Sequence, residues 1–247
     1  MAETAALLDV NDLAAGYGRT RVVDGINLRV EPGMWLGLLG ANGSGKSTLL
    51  RAITGQIALH AGSVTLAGID LAAEPERAKR QFGYAVDGAD LPEALTAQHY
   101  LELVASIRGC GADDWPCGDL IAPLQLRPWM NTRIGDCSLG TRMKISLTGA
   151  LLGSPRLLIL DETLNGLDPV ASWRIRGILA ELVQGGLFGV ILCTHMVETI
   201  AVNCSDAVFL DNGRITQRWG NEVLRSSQGA AGGFEALVMR AMRADAA

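Results

Sequence analysis

The chain has 247 residues, 49% of them hydrophobic, which is enough for one large domain or a domain with a subdomain. Its formal net charge is −5 and no block of Lys or Arg stands out, which argues against binding along a nucleic-acid backbone. Aromatic residues make up only 5%, too few for a row of base-stacking platforms.

Residues 6–17 read as an edge strand ending in a polar turn. Val22 to Val30 reads as a second strand, interrupted by Gly25 and Asn27. Glu31-Pro32-Gly33 turns tightly into the apolar run Met34 to Leu39. A glycine-rich loop follows, and a helix over 46–54. Ser63 to Ala67 reads as a strand closed by Gly68, Glu74 to Arg80 as a short charged helix, and Phe82 to Val86 as a strand. The pattern then changes. Helices are expected over Leu95 to Ile107, Trp115 to Leu124 and Thr141 to Leu152, punctuated by Gly109-Cys110-Gly111 and Arg127-Pro128. After Pro155 strands and helices alternate again: strand Leu157 to Leu160, helix Val170 to Val183, strand Phe188 to Cys193, helix Met196 to Val202, strand Ala207 to Leu210. Asp211-Asn212-Gly213-Arg214 is a hairpin-turn signal. Phe234, Leu237, Val238, Ala241 and Met242 form an apolar stripe on a helix over 233–243, expected to dock on its own core, with a dimer or partner contact as the alternative. The result is an α/β core interrupted by a helical insertion.

Cys110, Cys117, Cys137, Cys193 and Cys204 are scattered, with no C-x-x-C pair, and His60, His99 and His195 form no ligand cluster with them. Reduced thiols in a cytosolic protein are the expectation. No secretory segment follows Met1, and the most apolar region, Ile145 to Leu160, is broken by Ser154-Pro155-Arg156. The chain is not expected to cross a membrane by itself.

The loop Gly40-Ala41-Asn42-Gly43-Ser44-Gly45-Lys46-Ser47-Thr48 satisfies G-x-x-x-x-G-K-[ST] between a buried-type strand and a helix. A triphosphate must be wrapped by backbone N–H groups, so the loop needs glycines that tolerate φ > 0 and close approach. The helix start adds free N–H groups and the positive end of its dipole. Lys46 supplies a point charge for the β- and γ-phosphates, and the Ser47 hydroxyl is placed to ligate Mg²⁺. A Rossmann pattern is not met by the glycines here. The second half of such a site is supplied by Leu157-Leu158-Ile159-Leu160-Asp161-Glu162. Four apolar residues make a central strand whose carboxyl end faces the ligand crevice, with Asp161 as the Mg²⁺-side acid and Glu162 where it polarises the attacking water.

Over essentially its full length the chain resembles the ATP-binding subunit of ABC transporters. Gly40 to Thr48 matches the Walker A loop, with Asn42, Gly43, Gly45, Lys46, Ser47 and Thr48 as nucleotide contacts, and Leu157 to Glu162 matches Walker B. Tyr17 matches the aromatic that stacks on adenine. Cys137-Ser138-Leu139-Gly140-Thr141 stands where the family has its L-S-G-G-Q signature, Gly166-Leu167-Asp168-Pro169 resembles the D-loop, and Thr194-His195 resembles the switch histidine. The resemblance implies a P-loop NTPase (RecA-like) core over about 1–86 and 153–220, with an edge antiparallel β subdomain and a helical subdomain over about 87–152, all in one ABC ATPase domain. It further implies ATP and Mg²⁺ as ligands and a head-to-tail pair of ATPase subunits, in which Ser138 and Gly140 act in trans. It also implies a separate transmembrane permease, no nucleic acid, and a place on the cytoplasmic face of the cell membrane. Lys46, Glu162 and His195 would be the catalytic residues.

Two departures stand out. Leu139 and Thr141 replace Gly and Gln in the signature, a variation found, like Asn-Gly-Leu-Asp-Pro at 165–169, in the branch resembling ABC-2-type exporters. Asp87 falls where the family has the Q-loop glutamine. It is expected either to reach Mg²⁺ or its water, or to be a loop acid without a metal role. A degenerate partner in a heterodimer and a soluble, non-transport ABC module are the alternatives.

Overall fold

The computed structural model describes residues 5–110, 121–164, 167–227 and 233–244. The chain starts with an antiparallel hairpin, β1 (Leu8–Tyr17) and β2 (Thr20–Val30). Gly25 and Asn27 do not break β2. Asn27 instead exchanges hydrogen bonds with Asp12, at 3.0 Å to the Asp12 N–H and 3.1 Å to Asp12 Oδ1, where β1 is bulged. Next come β3 (Trp35–Leu39), whose five residues are all buried, and α1 (Lys46–Ile53). β4 (Leu59–Leu66) pairs with the free edge of β1, and the two-residue β5 (Ile69–Asp70) completes a four-stranded antiparallel sheet ordered β2-β1-β4-β5.

After α2 (Pro75–Lys79) and β6 (Phe82–Ala85) comes the helical insertion, with α3 (Ala97–Arg108) and α4 (Leu139–Leu151). Thr96 caps α3 by accepting the His99 N–H at 3.2 Å, and Gly109, with φ +69°, ends it in the left-handed conformation. The helix expected over Trp115 to Leu124 lies outside the described residues up to 120. From Ile121 the chain is turn, closed by bonds from Gln125 N to Ala122 O and Leu126 N to Ile121 O. Pro123 and Pro128 remove N–H donors that a helix here would use, and Leu124 and Leu126 are buried from the turn instead.

The core resumes with β7 (Leu157–Asp161), α5 (Pro169–Gln184), β8 (Gly189–Cys193), α6 (Val197–Asn203), β9 (Asp206–Asp211), β10 (Arg214–Trp219), α7 (Asn221–Ser227) and α8 (Gly233–Ala244). The six-stranded sheet runs β10-β9-β3-β8-β7-β6, parallel throughout except for the β9–β10 hairpin. Apart from the exposed edge strand β10, its strands are buried almost throughout, which is why they read as apolar runs rather than alternating ones. Leu157 and Ile159 join one hydrophobic cluster, with β1, β2 and α1; Leu158 and Leu160 join the other, with the helical insertion, α5 and α6. α8 docks on its own core through Phe234 and Val238, with Phe234 edge-on to Trp219 at 5.1 Å. Among the described residues no helix is long and apolar enough to cross a membrane.

Candidate active site

Sheet register assembles the site. Leu38 of β3 pairs with Cys193 of β8, and Cys193 pairs with Asp161 of β7. The three strands therefore end in one row, strands ~4.8 Å apart, and the chain beyond each opens into the same crevice. The ladder continues past the strand ends, from Thr194 N to Leu38 O at 3.3 Å and from Glu162 N to Cys193 O at 3.0 Å.

Beyond β3, the loop wraps back on itself. Lys46 is buried, and its ammonium donates to Gly40 O at 2.8 Å and Ala41 O at 3.0 Å. Gly45, at φ +107°, caps α1, and Gly43, at φ +83°, faces open space. A Cβ on Gly40 would stand 2.5 Å from Leu210 O and from Ser44 Oγ, so only glycine lets the loop leave the sheet here. Asn42 and Ser47 are exposed, Thr48 is buried, and the Ser44 hydroxyl is buried without a hydrogen-bond partner among the described residues.

Beyond β7, the Asp161 carboxylate is half-buried. Tyr84 of β6 donates its hydroxyl to Oδ2 at 2.9 Å. Burial raises the Asp161 pKa, opposed by hydrogen bonds from Tyr84 and from the Cys193 thiol and by the charge of Lys46. Burial first, and the Asp161 carboxylate second, push the Tyr84 phenol up, so it stays a proton donor. Glu162 has φ +52°, a left-handed conformation costing a non-glycine residue roughly 1–3 kcal/mol. Its two oxygens are separately engaged: Oε1 lies 3.0 Å from His195 Nδ1, and Oε2 accepts from Thr194 Oγ1 at 3.1 Å. Thr163 ties the end of β7 to β6 through Ala85 O at 2.9 Å.

Tyr17, half-exposed at the end of β1, accepts a hydrogen bond from Arg51 Nη1 at 2.8 Å. Thr48 first, then Arg51, lowers its phenol pKa. The edge sheet thus brings the aromatic beside α1. Ser138 and Gly140 lie instead on the helical insertion. Ser138 caps α4, its Oγ accepting the Thr141 N–H at 3.3 Å and pairing with Thr141 Oγ1 at 2.9 Å, and it is exposed. Asp87 caps a short turn over 88–90 through Ala89 N at 3.0 Å. Of the D-loop residues, Gly166 lies outside the described residues, and Asp168 caps α5 with Pro169 in its first turn.

Sequence reasoning assigned no role to Tyr84, Cys193, Arg51 or Ser44. Tyr84 and Cys193 meet Asp161 only through strand pairing, and Arg51 meets Tyr17 across 34 residues. The glycine-lined loop with a buried ammonium fits a polyphosphate, since it offers backbone N–H groups and one fixed positive charge. The desolvated Asp161 beside it fits a divalent cation, whose charge offsets the burial that raises its pKa.

Together these features define a P-loop ATPase with a helical insertion. The family model described as ABC transporter matches residues 23–165. The chain is 34% identical over 228 residues to the ABC-type transporter ATP-binding protein EcsA of Bacillus subtilis, covering 91% of each chain. It is 32% identical over 209 residues to the Nod factor export ATP-binding protein I of Rhizobium etli, covering 84% of this chain and 66% of that one. A solved ATP-binding subunit of an ABC transporter superposes with TM-score 0.85 at 29% identity, over 96% of this chain and 99% of the other. A dimeric ATP-binding cassette in a post-hydrolysis state with ADP and Pi shares the fold, at TM-score 0.74 and 18% identity, over 87% of this chain and 98% of that one. The chain belongs to the ABC transporter family. It is an ATP-binding, ATP-hydrolysing subunit coupled to transport, and ATP with Mg²⁺ is the ligand pair typical of such subunits.

Proposed function

We propose that this ATPase powers export, in the manner of ABC-2-type systems, from the cytoplasmic face of the membrane. It would act as one ABC ATPase domain over 1–247, with the helical subdomain over about 87–152. The pairing of Glu162 with His195 and Thr194 beside Asp161 carries the catalytic reading. Lys46 stabilises charge on the γ-phosphate, and Glu162 takes a proton from the attacking water. His195 hydrogen-bonds the γ-phosphate. With Nδ1 donating to an ionised Glu162, such a bond from Nε2 needs the doubly protonated ring. Asn42, Gly43, Gly45 and Thr48 wrap the phosphates, and Tyr17 stacks on the adenine. Ser47 and Asp161 would hold Mg²⁺, with Asp87 reaching it directly or through water; when bound, the ion neutralises phosphate charge.

Ser138 and Gly140, at the exposed start of α4, act on nucleotide held by a second ATPase subunit. A separate permease supplies the membrane path. A cleft of about 590 Å³ beside α3, lined by Gln56, Lys79, Arg80, Phe82, Ile107 and Arg108, supports a docking place for it. The name of the Rhizobium etli relative supports the export direction.

The test is Glu162→Gln. The variant is expected to retain bound ATP and lose turnover, read by phosphate release alongside nucleotide retention. Hydrolysis at the wild-type rate would overturn the assignment of the water-handling residue.

A further inference from the structure

The hairpin turn between β9 and β10 lies against the phosphate loop. Asn212 at φ +44° and Gly213 at φ +76° make the two-residue turn that suits the twist of a hairpin. The turn does more than join two strands. The Gly213 N–H donates to Ser44 O, inside the phosphate loop, at 3.0 Å, and the Gly213 carbonyl accepts from the Asp24 N–H of β2 at 3.0 Å. One residue thus bonds to the phosphate loop on one side and to the edge sheet on the other.

The contact is close and admits no side chain. A Cβ on Gly213 would lie 2.1 Å from Val22 O, and the Gly213 Cα itself stands 3.7 Å from the place a Cβ on Gly45 would occupy. Arg214 holds the turn down from outside by donating to Asp24 Oδ2 at 3.0 Å.

Peptide geometry supplies the consequence. No peptide bond in the chain is cis among the described residues. In a trans peptide the carbonyl and the following N–H point in opposite directions. Holding the Ser44 carbonyl toward Gly213 therefore aims the Gly45 N–H away from the hairpin. That N–H donates to nothing among the described residues, and it precedes Lys46 at the start of α1, where helix N–H groups are free.

We infer that Gly213 is a positioning residue for nucleotide binding: its N–H sets the Ser44–Gly45 peptide so that the Gly45 N–H meets a phosphate oxygen. Its carbonyl keeps the same loop in register with the sheet that carries Tyr17. The inference rests on the nucleotide reading of the loop.

The test exchanges one N–H for an ester oxygen and adds no side chain. Residues 204–247, made synthetically with glycolic acid in place of Gly213, are ligated through the natural Cys204 to residues 1–203, giving the full chain with an ester at that position. Affinities for ATP, ADP and adenosine are measured on folded protein, with Gly213→Ala and Arg214→Ala in parallel. The ester is expected to weaken ATP and ADP by about tenfold, the scale of one buried backbone hydrogen bond left unmade, while adenosine binding stays within about twofold. Gly213→Ala is expected to do at least as much if it folds, and Arg214→Ala to leave ATP affinity within about twofold. A folded ester that binds ATP as the unaltered chain does overturns the inference alone. Equal losses for ATP and adenosine also overturn it, since a general loss of structure would not follow the phosphates. Failure of the unaltered chain to bind ATP overturns the nucleotide reading and the inference with it.

Discussion

Lys144 on α4 reaches across to Asp168 at the start of α5, Nζ to Oδ2 at 3.2 Å, while Asp168 Oδ1 accepts the Ala171 N–H at 2.8 Å. One carboxylate caps a core helix and pairs with a cation on the helical insertion. The Ala171 hydrogen bond first, and Lys144 second, hold its pKa below the usual value. A carboxyl whose folded pKa is lowered stabilises the fold above its unfolded pKa and loses that contribution as pH falls through the folded value. The wild type is therefore expected to melt above Asp168→Asn at neutral pH, and the gap to close as pH falls below about 4. Melting temperatures from pH 7 to pH 2 check this; a gap that persists unchanged to pH 2 contradicts it.

Ser138 is exposed at the start of α4, and among the described residues its hydroxyl bonds only within its own cap. If Ser138 meets nucleotide held by a second subunit, Ser138→Arg is expected to stop hydrolysis while leaving ATP binding to the phosphate loop intact, because the long side chain fills the space at the start of α4. Equilibrium nucleotide binding beside turnover separates the two. Loss of binding would place Ser138 in its own chain's site. Ser138→Ala is the mild counterpart, costing about 1 kcal/mol of helix capping.

At Asp87 two functions can be told apart. The carboxylate caps the 88–90 turn through Oδ1, and Asn caps nearly as well as Asp. Asp87→Asn is expected to keep the melting temperature and to raise the Mg²⁺ concentration for half-maximal ATPase activity. Asp87→Ala is expected to lower both stability and Mg²⁺ response. An unchanged Mg²⁺ profile in Asp87→Asn would leave the cap as its only role.

Gly83 faces the backbone of α4, and a Cβ there would lie 1.8 Å from Ala150 O. Neither β6 nor α4 can move away without opening the packing between core sheet and helical insertion. Gly83→Ala is expected to cost at least about 3 kcal/mol, read as a shift in denaturant midpoint. Gly177→Ala, on the exposed face of α5 with no atom outside its own helix within 4 Å of its Cβ position, is the control, expected to stabilise by up to about 1 kcal/mol rather than destabilise.

Much of this protein was legible in its residues because the features are local. A phosphate loop needs its glycines and lysine in consecutive order, a buried parallel strand needs an unbroken apolar run, and a cap needs Ser, Thr or Asp just before a helix. Gly40 to Thr48, Leu157 to Glu162 and Ser138 are therefore readable from the residues, while Asp168 is placed by its resemblance to the D-loop and its cap on α5 by the structure. The helix expected over Trp115 to Leu124 meets turn from Ile121 onward, where Pro123 removes a helical donor and Leu124 and Leu126 are buried from the turn instead.

What the tertiary structure decided is which of these local features face one another. The row Leu38–Cys193–Asp161 depends on strand order β3-β8-β7, which no spacing in the chain states. β8 on one side of β7 and β6 on the other give Asp161 its donors Cys193 and Tyr84, and the pairing of the strand ends gives Glu162 its partners Thr194 and His195. The Asn212-Gly213 turn was visible as a hairpin, but its contact with Ser44 spans most of the chain. The sequence by itself determined the chemical groups and the local geometry that holds each one. Hydrogen bonding between strands distant in the chain determined their neighbours, because such pairing depends on which edges meet in the packed core and not on residue type alone.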